Sequence, residues 1–166
     1  MNRITVLTAA QIEQKVNRIA YQIYEDNFEE TDVVIAGIVP SGFELAKRIA
    51  KQMASISTIK IHLIEVKLDK EKPLGKEIHL NINSETLTDK TIVLVDDVLN
   101  SGKTLIYALH PFLNIPVKKI KTVVLVDRNH KRFPIAADFV GISLATTLQE
   151  HITVELGNKD EGVYLS

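Results

Sequence analysis

Apolar residues recur along this chain in two alternating patterns. Ile12, Val16, Ile19, Ala20 and Ile23 fall on one helical stripe. Thr8 and Gln11 in front of it read as a capping box, so a first helix is expected to run to about Asn27. Asp32 to Ile38 (DVVIAGI) is short and continuously apolar, the pattern of a strand buried on both faces. The turn Val39-Pro40-Ser41-Gly42 follows, and Phe43, Leu45, Ala46, Ile49, Ala50 and Met53 predict a second helix. Lys60 to Val66 reads as another strand. Lys67 to Lys76 is polar and lysine-rich, with Pro73 and Gly75, and reads as a mobile loop. Glu77 to Ile82 alternates like a half-exposed strand, and Thr91 to Val95 (TIVLV) is a further buried one. Asp96 to Thr104 is expected as a loop, with Leu105, Ala108, Leu109 and Phe112 on a third helix. Thr122 to Val126 (TVVLV) predicts the next central strand. Asp138 to Leu144, Ile152 to Leu156 and Val163 to Leu165 read as short late strands that extend the sheet edge or cap the site. Strands alternating with helices predict an α/β fold: a mainly parallel central sheet flanked by helices, with a small cap from loops and late strands.

Composition narrows this picture. The chain has 166 residues, enough for one domain over residues 1–166 with a sizeable core. It contains no cysteine, which removes disulfides, thiolate metal sites and cysteine nucleophiles and agrees with a cytoplasmic protein. No apolar run is long enough to span a bilayer, and the start lacks the apolar stretch of a secretion signal, so no membrane role is expected. The formal net charge of -1 supplies no bulk field for nucleic acid, so any such binding needs a local patch. His62, His79, His110 and His151 are scattered without metal-ligand spacing, and no residue is assigned as a direct metal ligand.

The chemistry concentrates in Ile92 to Thr104, IVLVDDVLNSGKT. A buried strand ends at two adjacent carboxylates, Asp96 and Asp97, and Asn100-Ser101-Gly102-Lys103-Thr104 then opens a helix. Ligands of open α/β sheets bind outside the carboxyl ends of the strands. A loop of Ser, Gly and Thr at a helix start offers backbone N–H groups, hydroxyls and the positive end of a dipole to an anion. Gly102-Lys103-Thr104 matches the end of the nucleotide-triphosphate P-loop, but Asp97 stands where that motif requires its first glycine. The better reading is a phosphate monoester held by Asn100 to Thr104 while the acid pair accepts hydrogen bonds from two vicinal sugar hydroxyls, as a ribose 5-phosphate requires. The plainer alternative is that the acids end a strand and Ser101 caps a helix.

This segment resembles the phosphoribosyl pyrophosphate (PRPP) signature of type I phosphoribosyltransferases, with the apolar strand, the Asp-Asp pair and the [ST]-G-x-T end all present. The wider chain is similar to the pyrimidine-operon attenuator branch, whose members also have uracil phosphoribosyltransferase activity. The pieces that carry this are VLTAAQIEQKVNRIAYQI, VVIAGIVPSGFELAKRIA, VVLVDRNHKRFPIAADFVG and ITVELGNKDEGVYLS. The resemblance implies that Asp96 and Asp97 bind the ribose hydroxyls at the catalytic centre and that Val98, Leu99, Asn100, Ser101, Gly102, Lys103 and Thr104 surround the 5-phosphate. It also implies that Val39, Pro40, Ser41 and Gly42 hold pyrophosphate, and that Asp127, Arg128 and His130 lie beside the nucleobase. Mg2+ held largely through PRPP is the implied cofactor, and a homo-oligomer with a dimer as its unit the implied assembly.

The sequence departs from that branch in three places. Ser41 replaces a basic residue, Leu68-Asp69-Lys70-Glu71 replaces an Arg-Asp-Asp segment in a shortened loop, and Val140 to Thr146 reads VGISLAT rather than VGKNIPT. Lys67, Lys70, Lys72 or Lys76 could supply charge in place of the missing arginine, as point charges without its fork. The reaction implied is displacement of pyrophosphate from C1′ of ribose by a nucleobase nitrogen, with uracil as first choice. Two rivals stand beside it. One is an RNA-binding regulator with nucleotide as effector, using Arg18, Arg128 to Arg132, Lys118, Lys119 and Lys121; an aromatic content of 5% offers little stacking surface for it. The other is a PRPP or nucleotide sensor that has lost turnover.

Overall fold

The computed structural model describes residues 2–166. Among these, the strands divide into two sheets. A six-stranded sheet is built from β2 (Asp32–Ile38), β3 (Lys60–Lys67), β4 (His79–Leu80), β5 (Thr91–Leu99), β6 (Lys119–Asp127) and β7 (Phe139–Ser143), in the order β4-β3-β2-β5-β6-β7. Every pairing in it is parallel except β3 with the two-residue β4. A three-stranded antiparallel sheet, in the order β1-β9-β8, joins β1 (Ile4–Thr8), β8 (Ile152–Glu155) and β9 (Gly162–Leu165).

The central strands are apolar on both faces because both are covered. Val33 and Ile35 of β2, Val93 and Val95 of β5, and Val123 and Leu125 of β6 pack against α1 (Ala9–Asn27) and α2 (Ser41–Ile56). Their neighbours Val34, Ala36, Ile92, Leu94 and Val124 face the other way, onto Leu105 and Ala108 of α3 (Lys103–Ala108) and Phe112 of α4 (His110–Leu113). This is the period-2 alternation of a strand read twice. The stripe of α1 is as expected, with Ile12, Val16, Ile19, Ala20 and Ile23 all buried, and its capping box is complete: Gln11 N donates to Thr8 Oγ1 while Thr8 N donates to Gln11 Oε1. Such a cap contributes about 1 kcal/mol.

Several boundaries differ from expectation. β1 lies ahead of the first anticipated element. It is an edge strand with exposed outward positions, and its partner β9 comes from the far end of the chain, so no local pattern marks it. Glu77–Ile82 shrinks to the two residues of β4, an edge with one neighbour. The third helix divides, because Pro111 has no N–H to continue the ladder, and Leu109 N and Phe112 N instead donate to the carbonyls of Ile106 and Leu109. Of the late strands, β7 extends the parallel sheet beside β6, whereas β8 and β9 join β1 in the separate sheet.

That second sheet is fastened to the main body by Leu7 and Val163, which enter the α1–α2 core, and by a two-pronged ion pair. Arg48 of α2 donates from Nη1 to Glu161 Oε1 at 2.7 Å and from Nη2 to Glu161 Oε2 at 2.5 Å. The guanidinium hydrogen bond holds the Glu161 carboxyl below its ordinary range. Its stabilisation is therefore present at neutral pH and is lost as pH falls through the lowered value. The variant Glu161→Gln should melt roughly 3 °C lower at neutral pH, from a loss of about 1 kcal/mol, and the gap should close on acidification below the usual carboxylate range, as followed by thermal melts across pH.

Candidate functional site

In the parallel sheet the chain moves outward in opposite directions from one point. β2 leads to β3 on one side, while β5 leads to β6 and β7 on the other. The carboxyl ends of β2 and β5 therefore open a crevice at the switch in strand order, the place where such sheets bind ligands. The residues after those strands are Val39 to Gly42 and Asn100 to Thr104. The structure thus brings together two loops about sixty residues apart in sequence.

The Val39–Pro40 peptide is cis, and Val39 N donates to Val66 O at 3.0 Å. Helix α2 starts at Ser41, two residues earlier than the apolar pattern indicates, so Ser41 and Gly42 occupy its first turn. Gly42 has to be glycine for space: a Cβ there would stand 2.7 Å from Val95 O, 2.9 Å from Asp96 Cα and 3.1 Å from Asp96 Oδ1. The start of α2 rests directly on the end of β5.

Asp96 and Asp97 lie within β5, not in a loop as expected. The strand continues to Leu99 because β6 keeps pairing with it, Asp96 opposite Val124 and Leu99 opposite Asp127. Asp96 is 2% exposed. Its Oδ1 accepts from Asp97 N at 2.9 Å and lies 3.3 Å from Lys70 Nζ, while Asp97 Oδ1 accepts from Val98 N at 2.9 Å and lies 4.0 Å from the same ammonium. Burial, reinforced by the neighbouring Asp97 charge and only partly opposed by Lys70, raises the Asp96 carboxyl to about 8.

The loop from Asn100 to Thr104 is shaped by its own side chains and by the segment after β6. Gly102 has φ +86°, the left-handed region, and a Cβ there would meet Ile135 Cγ2 at 2.7 Å. Ser101 Oγ accepts from Lys103 N at 3.2 Å, and Ser101 O accepts from Arg132 N and Phe133 N. The backbone and side chains from Val98 to Leu105 enclose a cavity of about 40 Å3. Helix α3 is six residues long, so the loop's N–H groups and hydroxyls, rather than a long dipole, are what this cavity offers an anion.

The segment after β6 is held by a dense set of internal contacts. Asp127 Oδ1 accepts from Asn129 N in a tight turn with Asn129 at φ 58°. Arg128 is only 8% exposed. Its guanidinium donates to Asn100 Oδ1 at 3.0 Å, Thr146 Oγ1 at 3.0 Å, Thr147 O at 3.1 Å and Glu150 O at 2.6 Å. His130 Nε2 donates to Thr146 O at 2.5 Å. Arg128 and His130 thus hold the segment 146–150 against the 100–104 loop, and Arg128 occupies the Asn100 side-chain oxygen. The reason is geometric: a guanidinium at the end of a buried strand can be accommodated only where several acceptors converge. Residues that the sequence does not reveal are Thr146, Thr147 and Glu150, which accept through the Thr146 hydroxyl and through their backbone carbonyls.

Several of the basic residues grouped as an RNA surface have internal partners. Arg18 donates to Val140 O and Gly141 O, tying α1 to β7. Lys118 pairs with Glu30 and Lys119 with Asp26, and Arg128 is spent on its internal contacts.

The raised Asp96 carboxyl means that the folded chain retains a proton that the unfolded chain releases, so stability falls as pH rises from the ordinary carboxylate range to about 8. Asp96→Asn should therefore raise Tm, and by several degrees more at about pH 9 than at about pH 5, since about 1 kcal/mol moves Tm by ~2–4 °C in a domain of this size. Paired thermal melts of the two proteins would measure it.

Comparison with known proteins places this geometry. The family model for the phosphoribosyl transferase domain matches residues 5–159. Curated relatives named bifunctional protein PyrR include those of Leuconostoc citreum, 37% identical over 93% of this chain and 91% of that one, and of Chloroflexus aurantiacus, 36% identical over 96% and 91%. Among solved structures, a hypoxanthine-guanine phosphoribosyltransferase of Bacillus anthracis superposes with a TM-score of 0.77, covering 98% of each chain at 20% identity. The hypoxanthine phosphoribosyltransferase of Trypanosoma cruzi gives 0.73 over 84% and 81% at 17% identity. The chain carries the type I phosphoribosyltransferase fold and belongs to the phosphoribosyl transferase domain family.

Proposed function

We propose that this protein transfers the 5-phosphoribosyl group of PRPP to a nucleobase, uracil first among them, and releases pyrophosphate. The observation that carries this is the meeting of the acid pair, the 100–104 loop and the Val39–Gly42 turn at one crevice, with Gly42 so near Asp96 that a Cβ would stand 2.9 Å from the Asp96 Cα. In this reading the backbone and hydroxyls of Asn100 to Thr104 hold the 5-phosphate, Asp96 and Asp97 accept the ribose hydroxyls, and the start of α2 receives the pyrophosphate. Arg128 acts as a positioning residue, fixing Asn100 against segment 146–150. A ring nitrogen of the base forms its bond to C1′ as the C1′–oxygen bond breaks, pyrophosphate leaves with the electron pair, and the base gives up its N–H proton. The transition state has oxocarbenium character, and the protein's share is alignment, charge neutralisation and exclusion of water.

Mg2+ fits as a substrate-borne ion. Among the described residues no three His, Cys, Asp or Glu side chains gather into a metal cage, while the acid pair supplies hard oxygens beside the sugar hydroxyls and pyrophosphate that would complete the coordination. Bound there, the ion would neutralise the departing pyrophosphate.

The resemblance to the pyrimidine-operon attenuator branch, with relatives named bifunctional protein PyrR, favours a second reading in which a nucleotide-responsive RNA regulator shares the same chain. RNA affinity that falls steeply as salt rises would support it. For the transferase itself, incubation with PRPP, Mg2+ and each of uracil, hypoxanthine, guanine, xanthine and adenine should yield uridine monophosphate. Asp96→Asn combined with Asp97→Asn should lower the rate on the order of 100-fold or more, and chelation of Mg2+ should abolish turnover. Ribosyl transfer that survives the double substitution would refute the assignment.

A further inference from the structure

The Val39–Gly42 turn has no charged side chain, yet in the proposed reaction it faces the most highly charged part of the substrate. A charge must come from elsewhere, and one is already in place. Lys70 Nζ stands 3.3 Å from Asp96 Oδ1, the same oxygen that a Cβ on Gly42 would approach at 3.1 Å. The ammonium and the start of α2 therefore lie close to the same atom. The other lysines of the 67–76 loop are turned elsewhere. Lys67 lies 3.7 Å from Glu65, Lys72 lines a cleft with Leu74 and Tyr107, and Lys76 lines others with Ile78 and His79. Lys103 of the phosphate loop donates to Glu71 O at 3.2 Å, tethering the residue next to Lys70 and keeping this arm of the loop over the site.

We infer that Lys70 is the pyrophosphate-binding cation of this site, borne on the 67–76 loop and held on Asp96 and Asp97 until the sugar hydroxyls take those oxygens; this rests on the PRPP reading above. The competition follows from the donor count. A ribose hydroxyl donating to Asp96 Oδ1 competes with the ammonium for an oxygen that already accepts from Asp97 N, and the Lys103 bond to Glu71 O keeps the residue next to Lys70 close to the 100–104 loop. The pyrophosphate offers that ammonium a charge-assisted hydrogen bond. The side chain is 37% exposed, so it can swing without unpacking any core.

The inference separates two ligands that differ only at C1′. Binding of PRPP and of ribose 5-phosphate, each with Mg2+, is measured by calorimetry for the wild type, Lys70→Met and Lys70→Arg. Lys70→Met should weaken PRPP about tenfold or more. It should leave ribose 5-phosphate unchanged or tighter, because the hydroxyls no longer compete with an ammonium. Lys70→Arg should recover much of the PRPP affinity. Ribose 5-phosphate binding by the same Met variant reports that it is folded. Equal weakening of both ligands, or no change in either, would overturn the role of Lys70 while leaving the PRPP reading intact. A wild type that binds neither ligand would instead overturn the PRPP reading itself.

Discussion

The structure depends on the parallel pairing of β2 with β5, Val34 opposite Ile92 through Gly37 opposite Val95. These strands are neighbours in space but separated in sequence by α2, β3, the lysine-rich loop and β4. Their register brings the turn after one strand level with the acids that end the other. Gly42 then lets the first turn of α2 descend onto Val95 O and Asp96. Any side chain there would push the turn and the strand apart, so the crevice exists at this width because of one missing methyl group. The two apolar layers on either side, α1 with α2 and α3 with α4, hold the pair in that register from both faces.

Function is bought at the expense of local stability. An acid at 2% exposure is an unfavourable neighbour for a second acid, and the protein leaves that tension in place at the end of an otherwise apolar strand. Backbone N–H groups of Asp97 and Val98 and the Lys70 ammonium offset part of it. Elsewhere acids are treated differently. Asp32, at the opposite end of β2, is matched by Lys90 at 2.6 Å and His62 at 3.1 Å, and the Lys90 hydrogen bond holds its carboxyl below the ordinary range. The contrast between the two ends of the same sheet distinguishes a site from a scaffold.

Much of the scaffold was legible from hydrophobic period alone. DVVIAGI, TIVLV and TVVLV are buried strands, and the α1 stripe and its capping box are formed as read. What was not legible depends on partners distant in sequence. β1 is a strand because β9 pairs with it, and Asp96 and Asp97 are strand residues because β6 runs alongside them. For the candidate site, the residue types and their order pointed to the crevice, but the role of Arg128 did not follow from its neighbours in sequence. A basic residue after a buried strand reads as a solvated turn or a ligand contact. Here it is enclosed by carbonyls from Thr147 and Glu150, which no sequence pattern advertises. Likewise, a run of four lysines gives no sign that one of them, Lys70, rests on the acid pair.

The Arg128 clasp has a mechanical consequence. One rigid, planar group bonds on one side to Asn100 in the 100–104 loop and on the other to Thr146, Thr147 and Glu150. The two segments are therefore not independently adjustable: a shift of either must break these four hydrogen bonds or carry the other with it.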